Sequence, residues 1–274
     1  MTLNCNGKII NFDQAKIIGI LNVSDDSFYD GGKFNSIEKA LSHVDKMIND
    51  GADIIDLGGV SSKPGSKIIN GDVELKIVSK YIDELSVQFN KITFSIDTYN
   101  SNVAEYALNK GFSIINDISA GRYDNKLLDI VKDYSAGYVL MHMKGDPQNM
   151  QNNIKYDNTI PEIFSFFKER LIDLEKININ NIIIDPGFGF GKNINHNYEL
   201  LKEIKEFKKF NKPILVGVSR KSMIYNIIKS SPSKSLNGTS ILNTFSIING
   251  ANMLRVHDAK EAKECVELLN ELIW

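Results

Sequence analysis

The sequence predicts an α/β protein: a single domain over residues 1–274, folded as a (β/α)8 TIM barrel with a short N-terminal β-hairpin covering the barrel floor. Three observations carry this expectation. Eight short apolar runs each close on a polar residue, helical patterns separate them, and 274 residues suit one barrel core. The clearest run is Asn181 to Lys192, Asn-Ile-Ile-Ile-Asp-Pro-Gly-Phe-Gly-Phe-Gly-Lys. Its isoleucines do not alternate with polar residues, so both strand faces are expected to be covered, as in a parallel sheet wrapped by helices. Pro186 cannot donate to a ladder and three glycines follow it, so the strand ends at Asp185.

In chain order, Leu3 to Phe12 brackets Asn6-Gly7, a pair suited to a tight hairpin turn. Gly19-Ile20-Leu21 ends on Asn22 and opens into a polar loop, Val23 to Lys33, carrying Phe28 and fit to close over a ligand. Asn35 with Glu38 is expected to cap a helix whose inner stripe is Ile37, Leu41, Val44 and Ile48. Ile54-Ile55 ends on Asp56 and leads into a second loop with Ser61, Ser62, Lys63 and Pro64. A helix from about Asp72 to Phe89 precedes Phe94-Ser95-Ile96 and Asp97; a short one ending at Gly111 precedes Ile114-Ile115 and Asn116. Val139-Leu140-Met141 ends on His142, and Thr159 with Glu162 reads as a capping box before Ile163, Phe167, Leu171 and Leu174. Beyond Asp185, Ile214 to Val218 leads to Ser219-Arg220-Lys221, and Met253-Leu254 to Arg255 and His257. Asp258 with Glu261 is a last capping pattern. A lone polar residue after a strand is ordinarily a cap or a solvated group; eight at equivalent positions argue for a site at the C-terminal mouth.

Composition narrows the function. The formal net charge is -2 with acids and bases interspersed, which offers nothing to nucleic acid or an anionic membrane. No secretory leader pattern or membrane-length apolar run is present, so a cytoplasmic protein is expected. Cys5 and Cys265 lie near opposite ends outside any Cys-x-x-Cys pair and read as packing or surface residues.

Projected onto the mouth, Asp56, Asp97, Asn116 and Asp185 are acceptors, suited to a ligand edge rich in N–H groups such as an amino-substituted nitrogen heterocycle. Lys63, Arg220, Lys221, Arg255 and His257 are donors or cations, suited to phosphate or carboxylate. The plainer alternative is that Arg255 and Lys221 neutralise the neighbouring aspartates. Without a local His-x-x-x-His spacing a caged zinc is not expected, whereas Mg²⁺ bridged to ligand phosphates fits. Lys221 as a Schiff-base lysine is a competing reading, but its place beside Arg220 at a helix start suits anion binding better.

These motifs resemble those of the dihydropteroate synthases along nearly the whole chain. The matching stretches begin at Gly19, Gly51, Ser95, Ile114, Leu140, Asp185, Val218 and Leu254. The resemblance implies that 6-hydroxymethyl-7,8-dihydropterin pyrophosphate reacts with p-aminobenzoate, with C–O cleavage ahead of amine attack. It implies pterin contacts from Asp56, Asp97, Asn116, Asp185 and Lys221, and pyrophosphate contacts from Asn22, Lys63, Arg255 and His257. It further implies Mg²⁺ at Asn22, p-aminobenzoate contacts from Phe28, Ser62, Pro64 and Ser222, and a homodimer. Lys63, Lys221, Arg255 and His257 are the expected catalytic set. The second loop departs from the family's Gly-Gly-Glu-Ser-Thr-Arg-Pro-Gly: Val60, Ser62 and Lys63 replace Glu, Thr and Arg, and Asp25 stands where Pro is usual. An altered response to sulfonamides is expected from that loop. The alternatives are a catalytically weak pterin-binding paralogue and the pterin module of a methyltetrahydrofolate methyltransferase.

Overall fold

A computed structural model describes residues 1–23, 36–152 and 154–273; Asp25, Phe28 and Asn35 lie outside the described residues. Asn6 and Gly7, at φ 48° and 80°, turn β1 (Thr2–Cys5) onto β2 (Lys8–Asn11) as an antiparallel hairpin. The turn is tied down where Asn6 Nδ2 donates to Phe112 O at 3.0 Å.

Eight strands follow: β3 (Lys16–Asn22), β4 (Ile54–Gly58), β5 (Thr93–Asp97), β6 (Ile114–Asp117), β7 (Gly137–Met141), β8 (Ile182–Asp185), β9 (Leu215–Val216) and β10 (Met253–Val256). They form one parallel sheet in the order β8-β7-β6-β5-β4-β3-β10-β9. A parallel bridge between Ile184 and Ile214, with Ile184 N donating to Pro213 O at 2.9 Å, joins the two edge strands into a barrel.

Strand alternation then separates floor from mouth. Ile18, Ile54, Ile114, Val139, Ile183, Leu215 and Met253 point inward and pack with Leu3, Cys5, Ile10 and Phe12 of the hairpin region as one buried cluster. Two residues further along the same strands stand Ile20, Asp56, Asn116, Met141, Asp185, Gly217 and Arg255. One inward face therefore gives an apolar plug below and a polar mouth above.

The helices cover the outside: α1 (Ile37–Asn49), α2 (Gly71–Gln88), α3 (Ser101–Asn109), α4 (Leu127–Asp133), α5 (Thr159–Lys176), α6 (Ile194–Lys202), α7 (Ser222–Tyr225), α8 (Leu236–Ile248) and α9 (Ala259–Ile273). Their inner stripes, such as Val44 and Met47 of α1 and Ile163, Phe167 and Leu174 of α5, join the outward strand residues in a second core. None of the helices is long and apolar enough, among the described residues, to cross a membrane.

Local signals shifted in four places. Ser36 caps α1, its Oγ accepting from Lys39 N at 3.3 Å, in place of Asn35. Asn158 holds the N-cap of α5, where Glu162 accepts from Asp157 N and Asn158 N at 2.7 and 3.2 Å, so Thr159 is already inside the helix. Asp258 spends both carboxylate oxygens on Arg220, Nε and Nη2 each at 2.7 Å, because a buried guanidinium needs a bidentate partner. β9 is shorter than Ile214 to Val218, since Val218 O accepts from Lys221 N at 3.2 Å and the chain turns away from the ladder. Both cysteines are free; burial of Cys5 pushes its thiol up to about 12.

Candidate active site

At the mouth, one guanidinium joins three strands. Arg255 on β10 donates through Nε to Asp56 Oδ2 of β4 at 2.7 Å and through Nη2 to Asp97 Oδ2 of β5 at 2.8 Å. Asn116 of β6 donates to the same Asp56 oxygen at 2.9 Å. Asp56 Oδ1 is buried without a hydrogen-bond partner among the described residues. Burial pushes the Asp97 carboxyl up to about 7 against the opposing pull of Arg255, with the negative charge of Asp56 adding to the rise.

On the opposite wall, Asp185 accepts from Gly187 N at 2.8 Å, and burial raises its carboxyl against the charge of Lys221. Lys221 sits at the N-cap of α7 and donates to Phe188 O at 2.6 Å, with its ammonium 5.0 Å from the centre of the Phe190 ring. Burial lowers it to about 8. Gly187, at φ 72°, is required: a Cβ there would lie 1.9 Å from His142 O. Lys192 fastens the same loop from behind, donating to Gly187 O and Phe190 O at 2.9 and 3.1 Å and meeting His142 Nδ1 at 2.9 Å.

A cavity of about 370 Å³ opens among these groups. Asn22, Ser62, Lys63, Pro64, Asp97, Asn116, Asp185, Lys221, Ser222, Arg255 and His257 line it, so the barrel brings these sequence-singled residues together. Asp56 lies beneath rather than on the wall, and Phe28 is outside the described residues. Two expectations need correction. His142 ends β7 but is engaged with Lys192, away from the cavity. Arg220 reaches the rim, yet its guanidinium is bound to Asp258 and to the carbonyls of Pro232 and Ser233 at 2.8 and 2.9 Å. His257 lines the cavity as a donor: burial, then the charge of Arg255, lowers it to about 3, and its Nδ1 stands 3.0 Å from Ser219 Oγ.

The lining also includes Ile118, Met141, Met150, Gln151, Phe190 and Ser219, to which no role was assigned. Ile118 and Met141 follow from strand alternation, being inward neighbours of Asn116 and Val139. Met150 and Gln151 carry no local signal.

Each wall of the cavity therefore sets acceptors for N–H groups beside a cation for an anion, Asp97 and Asn116 with Arg255 on one and Asp185 with Lys221 on the other, and Lys63 lines the same space. A divalent cation fits only in a particular way. No three His, Cys, Asp or Glu side chains converge to hold a metal among the described residues, but the half-buried Asn22 lines the cavity. One protein oxygen suits Mg²⁺, which keeps waters and takes its remaining ligands from substrate phosphates.

Fold and site together define a barrel enzyme with paired acceptor and cation zones at the strand C-termini, and the family model described as pterin binding enzyme matches residues 18–257. The dihydropteroate synthase of Escherichia coli (strain K12) is 38% identical over 271 residues, covering 98% of this chain and 95% of that protein. Among solved structures, the Yersinia pestis dihydropteroate synthase in a sulfonamide drug complex superposes with a TM-score of 0.95 at 35% identity, covering 99% of this chain and 98% of that one. The Xanthomonas albilineans dihydropteroate synthase with 4-aminobenzoic acid gives 0.89 at 32%, covering 99% and 97%. The chain belongs to the dihydropteroate synthases, transferases of folate biosynthesis within the pterin-binding family.

Proposed function

We propose that this chain condenses 6-hydroxymethyl-7,8-dihydropterin pyrophosphate with p-aminobenzoate to give 7,8-dihydropteroate and pyrophosphate. The observation that carries the reading is Arg255 held between Asp56 and Asp97, which sets an anion-binding cation beside an acceptor wall. Asp97, Asn116, Asp185 and Lys221 hold the pterin ring, with Asp56 supporting Asn116 and Arg255 from below. Asn22, Lys63, Arg255 and His257 take the pyrophosphate; Phe28, Ser62, Pro64 and Ser222 take p-aminobenzoate.

Cleavage of the C–O bond sends its electron pair to the pyrophosphate, and the amine then forms the C–N bond and gives up one proton to solvent water. Lys63 and Arg255 stabilise the departing negative charge, and neutral His257 donates to it. The carboxylates of Asp97 and Asp185 offset the positive charge that spreads into the ring. Mg²⁺ bound at Asn22 and the phosphates would neutralise leaving-group charge. No side chain forms a covalent bond to substrate.

The Val60 to Lys63 loop modifies p-aminobenzoate handling and, with it, sulfonamide sensitivity. The protein acts in the cytoplasm as a homodimer, whose contact is the apolar outer face formed by Ile241, Phe245 and Ile248 of α8 with Leu268 and Leu272 of α9, all exposed in the single chain. Pyrophosphate release on mixing protein, Mg²⁺ and both substrates, with each omitted in turn, tests the reaction. Release coupled to dihydropteroate formation is expected; tight pterin binding without turnover would mean that the altered loop has left a binding protein.

A further inference from the structure

The segment between β7 and α5 supports both substrate zones at once. In the second loop, Gly65 donates its N–H to Pro147 O at 2.8 Å. Four residues beyond Pro147, Gln151 Nε2 donates to Gly189 O of the Gly-rich loop at 2.6 Å. Between these points the segment is folded tightly: the Asp146 carboxylate accepts from Gln148 N at 2.9 Å and from Asn149 Nδ2 at 2.7 Å, while Met150 N reaches Asp146 O at 2.7 Å. Met150 is buried against the cluster of Tyr99, Ile118, Met141 and Met143. Beyond Gly189 the connection runs on, because Gly189 N donates to Asn197 Oδ1 at 2.7 Å and the adjoining Phe188 O accepts from Lys221.

We propose that Gln151 is a positioning residue that couples the pterin side of the cavity to the loop carrying Ser62, Lys63 and Pro64. The proposal rests on the reaction assigned above. Gln151 itself is exposed, so its amide is not held in place by burial; Lys192 ties the start of the strap, at His142, to the Gly-rich loop, and the Gln151 bond to Gly189 O ties its far end. With the pterin ring seated against Asp185 and Lys221, the Gly-rich loop is fixed, the strap follows through Gln151, and Pro147 O holds Gly65 in place. The donor is the essential feature. Glutamate has the same shape but offers Gly189 O only acceptors, whereas lysine donates.

Steady-state kinetics of Gln151→Glu and Gln151→Lys separate a donor role from simple packing. Gln151→Glu is expected to raise KM for p-aminobenzoate about fivefold, the loss of one neutral hydrogen bond, with kcat and pterin affinity little changed. Gln151→Lys is expected to restore most of that loss. Hydrogen exchange at the Gly65 amide gives a readout that does not need turnover: pterin pyrophosphate should slow it in the wild-type protein and not in Gln151→Glu. Equal slowing in both proteins overturns the coupling, as does a lysine variant that behaves like the glutamate one. A wild-type protein that shows the slowing but releases no pyrophosphate would retain the coupling and overturn the assigned reaction alone.

Discussion

Arg255 and Asp97 face each other from β10 and β5 as an ion pair, Nη2 to Oδ2 at 2.8 Å, with the arginine side chain only 21% exposed. The pair stores, before any substrate arrives, both a cation for phosphate and an acceptor for ring N–H groups. Asp97→Asn keeps the shape and removes the charge. Pterin affinity is expected to fall about ten- to hundredfold, the worth of one charge-assisted hydrogen bond, as measured by calorimetry. Unchanged affinity would mean that Asp97 serves only to orient Arg255.

The same carboxyl predicts a pH dependence. Asp97 is pushed up to about 7 in the folded chain, so it holds more protons there than in the unfolded chain between its ordinary range and 7. Stability contributed by this group therefore falls as pH rises through that window. Pterin binding, which uses the ionised form, is expected to tighten as pH passes about 7. Titrations from pH 6 to 8 on wild type and Asp97→Asn check this, and the rise near pH 7 should be lost in the variant, leaving only the contribution of Lys221, lowered to about 8.

Lys192 predicts the opposite slope for stability. Burial lowers it to about 7, below its ordinary value of 10.5, so the unfolded chain holds more protons across that interval and stability rises with pH there. Lys192→Met should lose this rise. It should also cost about 1–3 kcal/mol in urea unfolding at pH 7, since the carbonyls of Gly187 and Phe190 lose their donor.

Lys63 lacks the planar fork of arginine. Lys63→Arg is expected to raise turnover about five- to thirtyfold if bidentate contact with the leaving group is what the loop lacks. Rapid-quench measurement of the chemical step separates this from product release. Paired with Ser62→Thr, the same variant should change the inhibition constant of a sulfonamide relative to KM for p-aminobenzoate.

Phe245, 40% exposed on α8, tests the outer apolar face. Phe245→Glu is expected to shift sedimentation from dimer to monomer while leaving the fold intact by circular dichroism, because the side chain lies outside the buried cores. A wild-type protein that sediments as a monomer would overturn the dimer.

The strand ends could be read from sequence because buried parallel strands leave unbroken apolar runs, and alternation then points every second residue into the bore. Asp56, Asp97, Asn116, Asp185 and Arg255 all follow from that one regularity. What escaped is set by distant partners. Asp258 resembles a cap locally, but Arg220, 38 residues earlier, claims it. Lys192 carries no local signal in its Gly-rich stretch, and only the gathering of loop carbonyls around its ammonium makes it a buried clamp. The caps of α1 and α5 slipped by one position because two polar residues stand side by side at each start.

The hairpin plug carries a consequence for synthesis. Leu3, Cys5, Ile10 and Phe12 leave the ribosome ahead of every barrel strand, yet they pack against Leu215 and Met253, made more than two hundred residues later. Until those strands emerge, an apolar hairpin has no complete socket and must wait in company with half-built sheet edges. Such long-range closure slows folding and exposes adhesive surface meanwhile. The floor of the barrel, far from any chemistry, is thus where nascent chains would most need a chaperone's shelter.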